Sequence, residues 1–137
     1  MAAEEVPVRV VVRVRPLIAR EKLHELSSCV RPILGSKQLV IGKDRSFTFD
    51  HVLDEGSSQD EVYEICANPL VESCFEGYNA TVFAYGQTSS GKTHTITGAD
   101  LSAVTQDEQG IISRAVGRIF HMIEVSVRMQ RIFAGAL

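Results

Sequence analysis

Little in this 137-residue chain points to a nucleic-acid or membrane partner. Acidic residues outnumber basic ones by 17 to 14, for a formal net charge of −3. Proteins that grip a phosphate backbone or an anionic bilayer normally carry a basic excess. The local basic stretch of Arg9, Arg13, Arg15, Arg20 and Lys22 reads equally well as a solvated strand edge and loop. No segment approaches the roughly 18 consecutive apolar residues that cross a bilayer. The opening MAAEEVPVRV is acidic and lacks the apolar stretch of a signal peptide. Cysteine is scarce: Cys29, Cys66 and Cys74 are odd in number and show no metal-like CxxC spacing, which predicts reduced thiols. Cys66 and Cys74 fall within a helical pattern, where core packing is the expected role. Internal repeats and low-complexity segments are absent. These absences predict a soluble, intracellular chain without a nucleic-acid or membrane partner, and the length suits one compact domain.

What is present is an α/β pattern. Val8 to Val14 alternates valine with arginine and stops at Pro16, which predicts a strand. Residues 17–28 read as a loop with a short turn. QLVI at 38–41 and SFTF at 46–49, joined by a short polar link, predict a hairpin. Over residues 58–77, Ser58 and Glu61 fit a capping box, apolar residues recur at three-to-four spacing, and Gly77 supplies the stop. Pro69 inside that run predicts a kink or a split into two helices. TVFAY at 81–85 is nearly continuously apolar, the mark of a strand buried on both faces. A polar, acidic surface loop is expected from Gly98 to Gly110. A further helix is expected over about 112–127, with Ala115, Val116, Ile119, Phe120 and Ile123 on its apolar face. Such an order of elements implies a partly parallel sheet with flanking helices.

One motif carries chemistry. Gly86-Gln87-Thr88-Ser89-Ser90-Gly91-Lys92-Thr93 matches G-x-x-x-x-G-K-[ST]. The glycines let the backbone fold back so that successive N–H groups form an anion nest. Lys92 offers a compact charge to the β- and γ-phosphates of a nucleotide, and Thr93 a hydroxyl to the Mg²⁺ that bridges them. The preceding TVFAY supplies the expected strand, whereas His94 to Thr97 is a weak helix start broken at Gly98. A working NTPase also needs an acid that holds the magnesium shell and a group that senses the γ-phosphate. Asp50 precedes the loop and reads as a turn residue. Asp100, Asp107 and Glu108 lie in a polar loop with no strand before them. No catalytic residue is assigned.

From Val8 to about Glu124 the sequence resembles the kinesin motor family. Arg13-Val14-Arg15-Pro16 matches the family's R-x-R-P element, followed by Phe47 to Val52 and by Ser58 to Tyr63. The run EGYNATVFAYGQTSSGKT is the most specific part, and Gly110 to Ala115 is similar to the family's G-I-I-P-R element, with Ser113 in place of proline. The first 50 residues resemble most the branch containing chromokinesins and their cilia-associated relatives, while Ser89-Ser90 is closer to conventional kinesin.

The resemblance implies an incomplete P-loop NTPase sheet with flanking helices. It also implies ATP with Mg²⁺ as ligands, a microtubule as the partner of the complete motor, and a place in the cytoplasm and cytoskeleton. Gly86 to Thr93 would hold the phosphates. Arg13, Arg15 and Pro16 would line the adenine pocket, with His94 stacking on the base. Without the resemblance, Arg13 and Arg15 are strand residues facing solvent and His94 opens a helix. His24, His51 and His121 are assigned no role. Residues 1–7 are expected to be an extension, 8–124 the N-terminal part of a motor domain, and 125–137 a divergent tail. The family's N-x-x-S-S-R-S-H and D-x-x-G-S-E elements are not among these residues, nor is its main microtubule-binding helix. The expectation is ATP binding with little turnover. Two alternatives stay open, a non-catalytic or interfering fragment and an unstable truncated product. Oligomeric state is not legible.

Overall fold

The computed structural model describes residues 8–24, 26–99 and 105–134, and the chain divides into two units between Ser57 and Ser58. The first unit holds five strands and one short helix: β1 (Val11–Arg13), α1 (Ala19–Leu23), β2 (Val30–Pro32), β3 (Gln38–Ile41), β4 (Arg45–Thr48) and β5 (His51–Leu53). β1 pairs in parallel with β5, Val12 opposite Val52. Val14 N–H extends this ladder to the Leu53 carbonyl at 2.8 Å, and the Asp50 carboxylate closes its other end by accepting from Val10 N–H at 2.7 Å. β2, β3 and β4 form an antiparallel meander. The expected hairpin is present, with Ile41 opposite Arg45 and Gly42 in the left-handed region at φ 70°. Val14, Leu39 and Leu53 are the buried apolar residues of this unit.

Three features of the first unit differ from expectation. The strand expected from Val8 is confined to Val11–Arg13. The stretch expected as a loop contains α1, whose first turn is held by Glu21 accepting from Ile18 N–H at 2.9 Å. β2 and β5 carry no periodic signal because each is three residues long and takes its conformation from its partner strand.

The second unit is helical: α2 (Gln59–Cys66), α3 (Asn68–Phe75), α4 (Lys92–Ile96), a 3₁₀ turn (Gln106–Glu108) and α5 (Ile111–Ala134). Ser58 caps α2 by accepting from Glu61 N–H at 3.1 Å. The predicted split at Pro69 is present, with the break at Ala67. Proline then sits in the first turn of α3, where its missing N–H has no intrahelical role. α2 and α3 pack against each other and against α5, burying Val62, Tyr63, Ala67, Val71 and Ile111. Cys66 is half-buried and Cys74 exposed, so the packing role expected of the pair holds at most for Cys66.

The largest departure is Thr81–Tyr85. Expected as a buried strand, it is irregular and exposed, Phe83 by 73% and Tyr85 by 97%. A continuous apolar run encodes a tendency to be covered, but a strand exists only where neighbouring strands take up its N–H and C=O groups. Among the described residues of the second unit there is no strand to do so. α5 shows the same effect. It runs from Ile111 to Ala134, longer than expected, and its anticipated apolar face is divided. Ala115 and Ile119 are half-buried, while Val116, Phe120 and Ile123 are exposed.

Candidate functional site

The loop Gly86–Gly91 turns back on itself and delivers the chain into α4. Three residues have positive φ: Gly86 at 156°, Ser89 at 65° and Gly91 at 98°. A Cβ at Gly86 would stand 2.5 Å from Ser90 Oγ and 3.2 Å from Ser90 Cβ, so a larger residue there must displace the Ser90 side chain. Ser89 tolerates the left-handed region at a cost of about 1–2 kcal/mol. Gly91, at the N-cap of α4, adopts it without a Cβ penalty. Ser90 N–H closes the turn on the Gln87 carbonyl at 3.2 Å.

The Lys92 ammonium folds over this loop and donates to the carbonyls of Gly86 at 2.6 Å and Gln87 at 2.7 Å. A cation that makes these bonds completes the concave face of the loop with a positive charge, as binding of a polyphosphate requires. Thr93 follows on α4 with its side chain exposed. Lys92 and Thr93 also line an open groove of about 370 Å³ with Val82, Ala84, Ile96 and Thr97. Gln87, Thr88 and Ser89 are exposed and Ser90 is half-buried, so the loop's polar groups are accessible. Among the described residues no cluster of three or more His, Cys, Asp or Glu could hold a metal ion. A single threonine hydroxyl fits Mg²⁺ nonetheless, because that ion takes one or two protein oxygens and completes its shell with water and phosphate.

Gly86 to Thr93 and His94 therefore come together in the second unit. His94 is exposed, and its backbone carbonyl accepts from Gln59 Nε2 at 2.7 Å. Arg13, Arg15 and Pro16 lie together in the first unit, on the segment that leaves β1. Arg13 donates to the Ser57 carbonyl at 3.2 Å. Arg15 donates to both carboxylate oxygens of Glu21, at 2.8 and 2.9 Å, and to the Pro16 carbonyl at 2.8 Å. Those bonds, with the Ile18 N–H, pull the Glu21 carboxyl down to about 2 and raise Arg15 further.

Sequence reasoning missed three residues that support these elements. Glu21 stands six positions after Arg15 in a stretch without an apolar face, so opposite charge was its one signal. Gln59 is buried although polar, directly after the N-cap Ser58. Arg114 donates to Asp60 at 2.6 Å and to the carbonyls of Gln106 at 3.0 Å and Gln109 at 2.9 Å.

Comparison with known proteins decides the family. The family model of the kinesin motor domain matches residues 13–133. The chain belongs to the kinesin motor domain family. Kinesin-like protein KIF27 of Homo sapiens is 57% identical over 120 residues, covering 88% of this chain and 9% of that protein. Kinesin-like protein KIF7 of Homo sapiens is 50% identical over 122 residues, 89% of this chain and 9% of that protein. Kinesin-like protein KIF21A of Homo sapiens is 52% identical over 124 residues, 90% of this chain and 7% of that protein. The chain thus spans less than a tenth of the length of these curated relatives. Its strands and helices form part of an α/β kinesin motor domain. Among the described residues, no helix is long and apolar enough to cross a membrane.

Proposed function

We propose that this chain is the ATP-phosphate-binding segment of a kinesin-like microtubule motor. Gly86, Gln87, Thr88, Ser89, Ser90, Gly91 and Lys92 hold the phosphates, and Thr93 takes a place in the Mg²⁺ shell. When bound, Mg²⁺ neutralises charge on the phosphate oxygens. Arg13, Arg15, Pro16 and His94 serve the adenine. In the whole protein this segment contributes to ATP-driven movement on microtubules, in the cytoplasm at the cytoskeleton. Residues 8–124 are its motor part, preceded by an extension at 1–7 and followed by a divergent tail at 125–137.

The observation that carries this reading is the Lys92 ammonium folded onto the Gly86 and Gln87 carbonyls of a loop that turns through three positive-φ residues. No base or γ-phosphate sensor is assigned, so the segment's share of catalysis is to bind and orient ATP.

The test is a thermal melt of the chain with and without excess Mg·ATP, with Lys92→Ala as control. Ligand at about 100 times its dissociation constant stabilises by about 2.7 kcal/mol, a shift of several degrees for a chain of this size. An upward shift confined to the unmutated chain supports the proposal. A cooperative melt that ATP does not move overturns it. The exposure of Phe83 and Tyr85 favours a second reading, in which the isolated chain self-associates and does not fold stably. Absence of any cooperative transition is the outcome that reading expects.

A further inference from the structure

α4 is five residues long, little more than one turn. A helix that short does not hold itself together in water, so its position must be set from outside. Much of the support enters at its C-terminal end. The His94 carbonyl accepts from Gly98 N–H at 3.0 Å and from Gln59 Nε2 at 2.7 Å. The segment that follows α4 crosses the one that precedes α5. Gly98 bridges to Gln109, and Ala99 N–H reaches the Glu108 carbonyl at 3.3 Å. The crossing is close enough to need glycine on both sides. A Cβ on Gly98, at φ 99°, would stand 2.5 Å from the Glu108 carbonyl oxygen, and one on Gly110 2.6 Å from that of Ile96. Gln59 spans this crossing: the nitrogen that binds the His94 carbonyl also lies 3.4 Å from the Glu108 carbonyl.

We propose that Gln59 is a positioning residue of the phosphate site. Its side-chain amide ties the end of α4 to the segment before α5, and so sets where Lys92 and Thr93 stand. This inference rests on the ATP-binding reading above. A primary amide suits the task because its nitrogen carries two donors and the two groups to be joined are both carbonyls. Gln59 is 6% exposed, and loss of its amide removes the side-chain tie between the His94 and Glu108 carbonyls, which keep only their backbone donors, and so frees α4 to shift.

The test is a titration of the whole chain with fluorescently labelled ATP and Mg²⁺, at a temperature where circular dichroism shows each variant folded. Gln59→Met keeps the length and removes both donors. Gln59→Glu keeps the shape and, ionised, presents only acceptors to two carbonyls. Val71→Ala lowers stability in the α2–α3–α5 core at a residue on α3 that makes none of the Gln59 hydrogen bonds. A tenfold or greater rise in the dissociation constant is expected for Gln59→Met and a larger one for Gln59→Glu, with Val71→Ala within twofold of the unmutated chain. The Gln59→Glu defect should narrow as pH falls, since a protonated carboxyl regains one donor, and burial against two carbonyls places that change above the ordinary carboxylate range. Amide exchange at Thr95 and Thr97 should quicken in both Gln59 variants, and it supplies a readout should either bind too weakly to titrate. Gln59 variants that bind within twofold of the unmutated chain overturn the proposal, as does an equal loss in Val71→Ala. If the unmutated chain binds no ATP, the functional reading falls as well. If it binds and Gln59 is indifferent, only the positioning role falls.

Discussion

Arg15 meets Glu21 through two parallel hydrogen bonds, Nη1 to Oε2 at 2.9 Å and Nη2 to Oε1 at 2.8 Å, while the same carboxylate caps α1 at Ile18 N–H. One ionised group thus fixes both the start of a short helix and a proposed adenine-side arginine.

This arrangement predicts a pH dependence with a definite sign. The Glu21 carboxyl is lowered from its ordinary 4.5 to about 2, chiefly by the Arg15 bond and then by the Ile18 N–H. A depressed carboxylate contributes stability that is complete above its ordinary value and is lost as pH falls through the folded value. The contribution should therefore fade between about pH 4.5 and about pH 2. Glu21→Gln should flatten melting temperature against pH in that window and leave the slope above pH 6 unchanged. Because both side chains are partly exposed, the effect should also shrink with added salt. An unchanged acid limb in Glu21→Gln would refute the assignment.

The turn at Gly86–Gly91 makes a second prediction. A methyl group at Gly86 collides with Ser90 Oγ at 2.5 Å and approaches its Cβ at 3.2 Å. Gly86→Ala should weaken Mg·ATP binding by tenfold or more. Since the collision is with the Ser90 side chain, Ser90→Gly in the same chain should recover part of the loss. Titration of single and double variants gives the coupling directly, and additive losses would place the effect of Gly86→Ala elsewhere.

Ser89 carries the loop's remaining strain at φ 65°. A β-branched residue is far less tolerant of that region than serine, whereas asparagine visits it readily. Ser89→Val should lower stability by roughly a further 1 kcal/mol or more, and Ser89→Asn should leave it unchanged or raise it, read from denaturant midpoints. Equal effects from the two would mean that the turn relaxes freely.

How much of this was legible in the sequence depends on whether the decisive contact was local. The Ser58 cap, the break at Pro69, the hairpin at Gly42 and the tight glycine turn at Gly86–Gly91 are each specified within a few residues, and each is present. α1 and Glu21 escaped notice because an ion pair across six positions leaves no periodic trace. Gln59 escaped because its partners are backbone carbonyls 35 and 49 positions away, which any residue type supplies. Thr81–Tyr85 misled in the opposite sense. Its composition asks for burial on both faces, and no described residue of its unit forms a strand beside it.

Arg114 separates two kinds of contact. Its ion pair with Asp60 is short, at 2.6 Å, but the Asp60 side chain is 70% exposed, and such pairs contribute at most about 1 kcal/mol. The Arg114 side chain is 13% exposed and also donates to the Gln106 and Gln109 carbonyls, which lose a partner when it is removed. Arg114→Ala should therefore destabilise by about 1–3 kcal/mol, and Asp60→Asn by well under half of that. Denaturant midpoints of the two variants measure the ratio. If Asp60→Asn costs as much as Arg114→Ala, the ion pair and not the carbonyl contacts carries the effect.

The exposed apolar surface sets the last expectation. Phe83 and Tyr85 are exposed, as are Val116, Phe120 and Ile123 on α5, and surface of this kind costs free energy in water. The Thr81–Tyr85 backbone adds donors and acceptors that no described strand takes up, a combination that favours pairing with other chains. The isolated chain should bind a hydrophobic dye and scatter more light as its concentration rises. Replacing Phe83 and Tyr85 together by serine should reduce both signals, because it removes the two largest exposed side chains of the segment while leaving the loop Gly86–Gly91 intact. Replacing Val116 and Phe120 by serine tests the α5 face separately. If scattering falls only with the α5 pair, association runs through the helix, and the Thr81–Tyr85 segment is a bystander despite its composition.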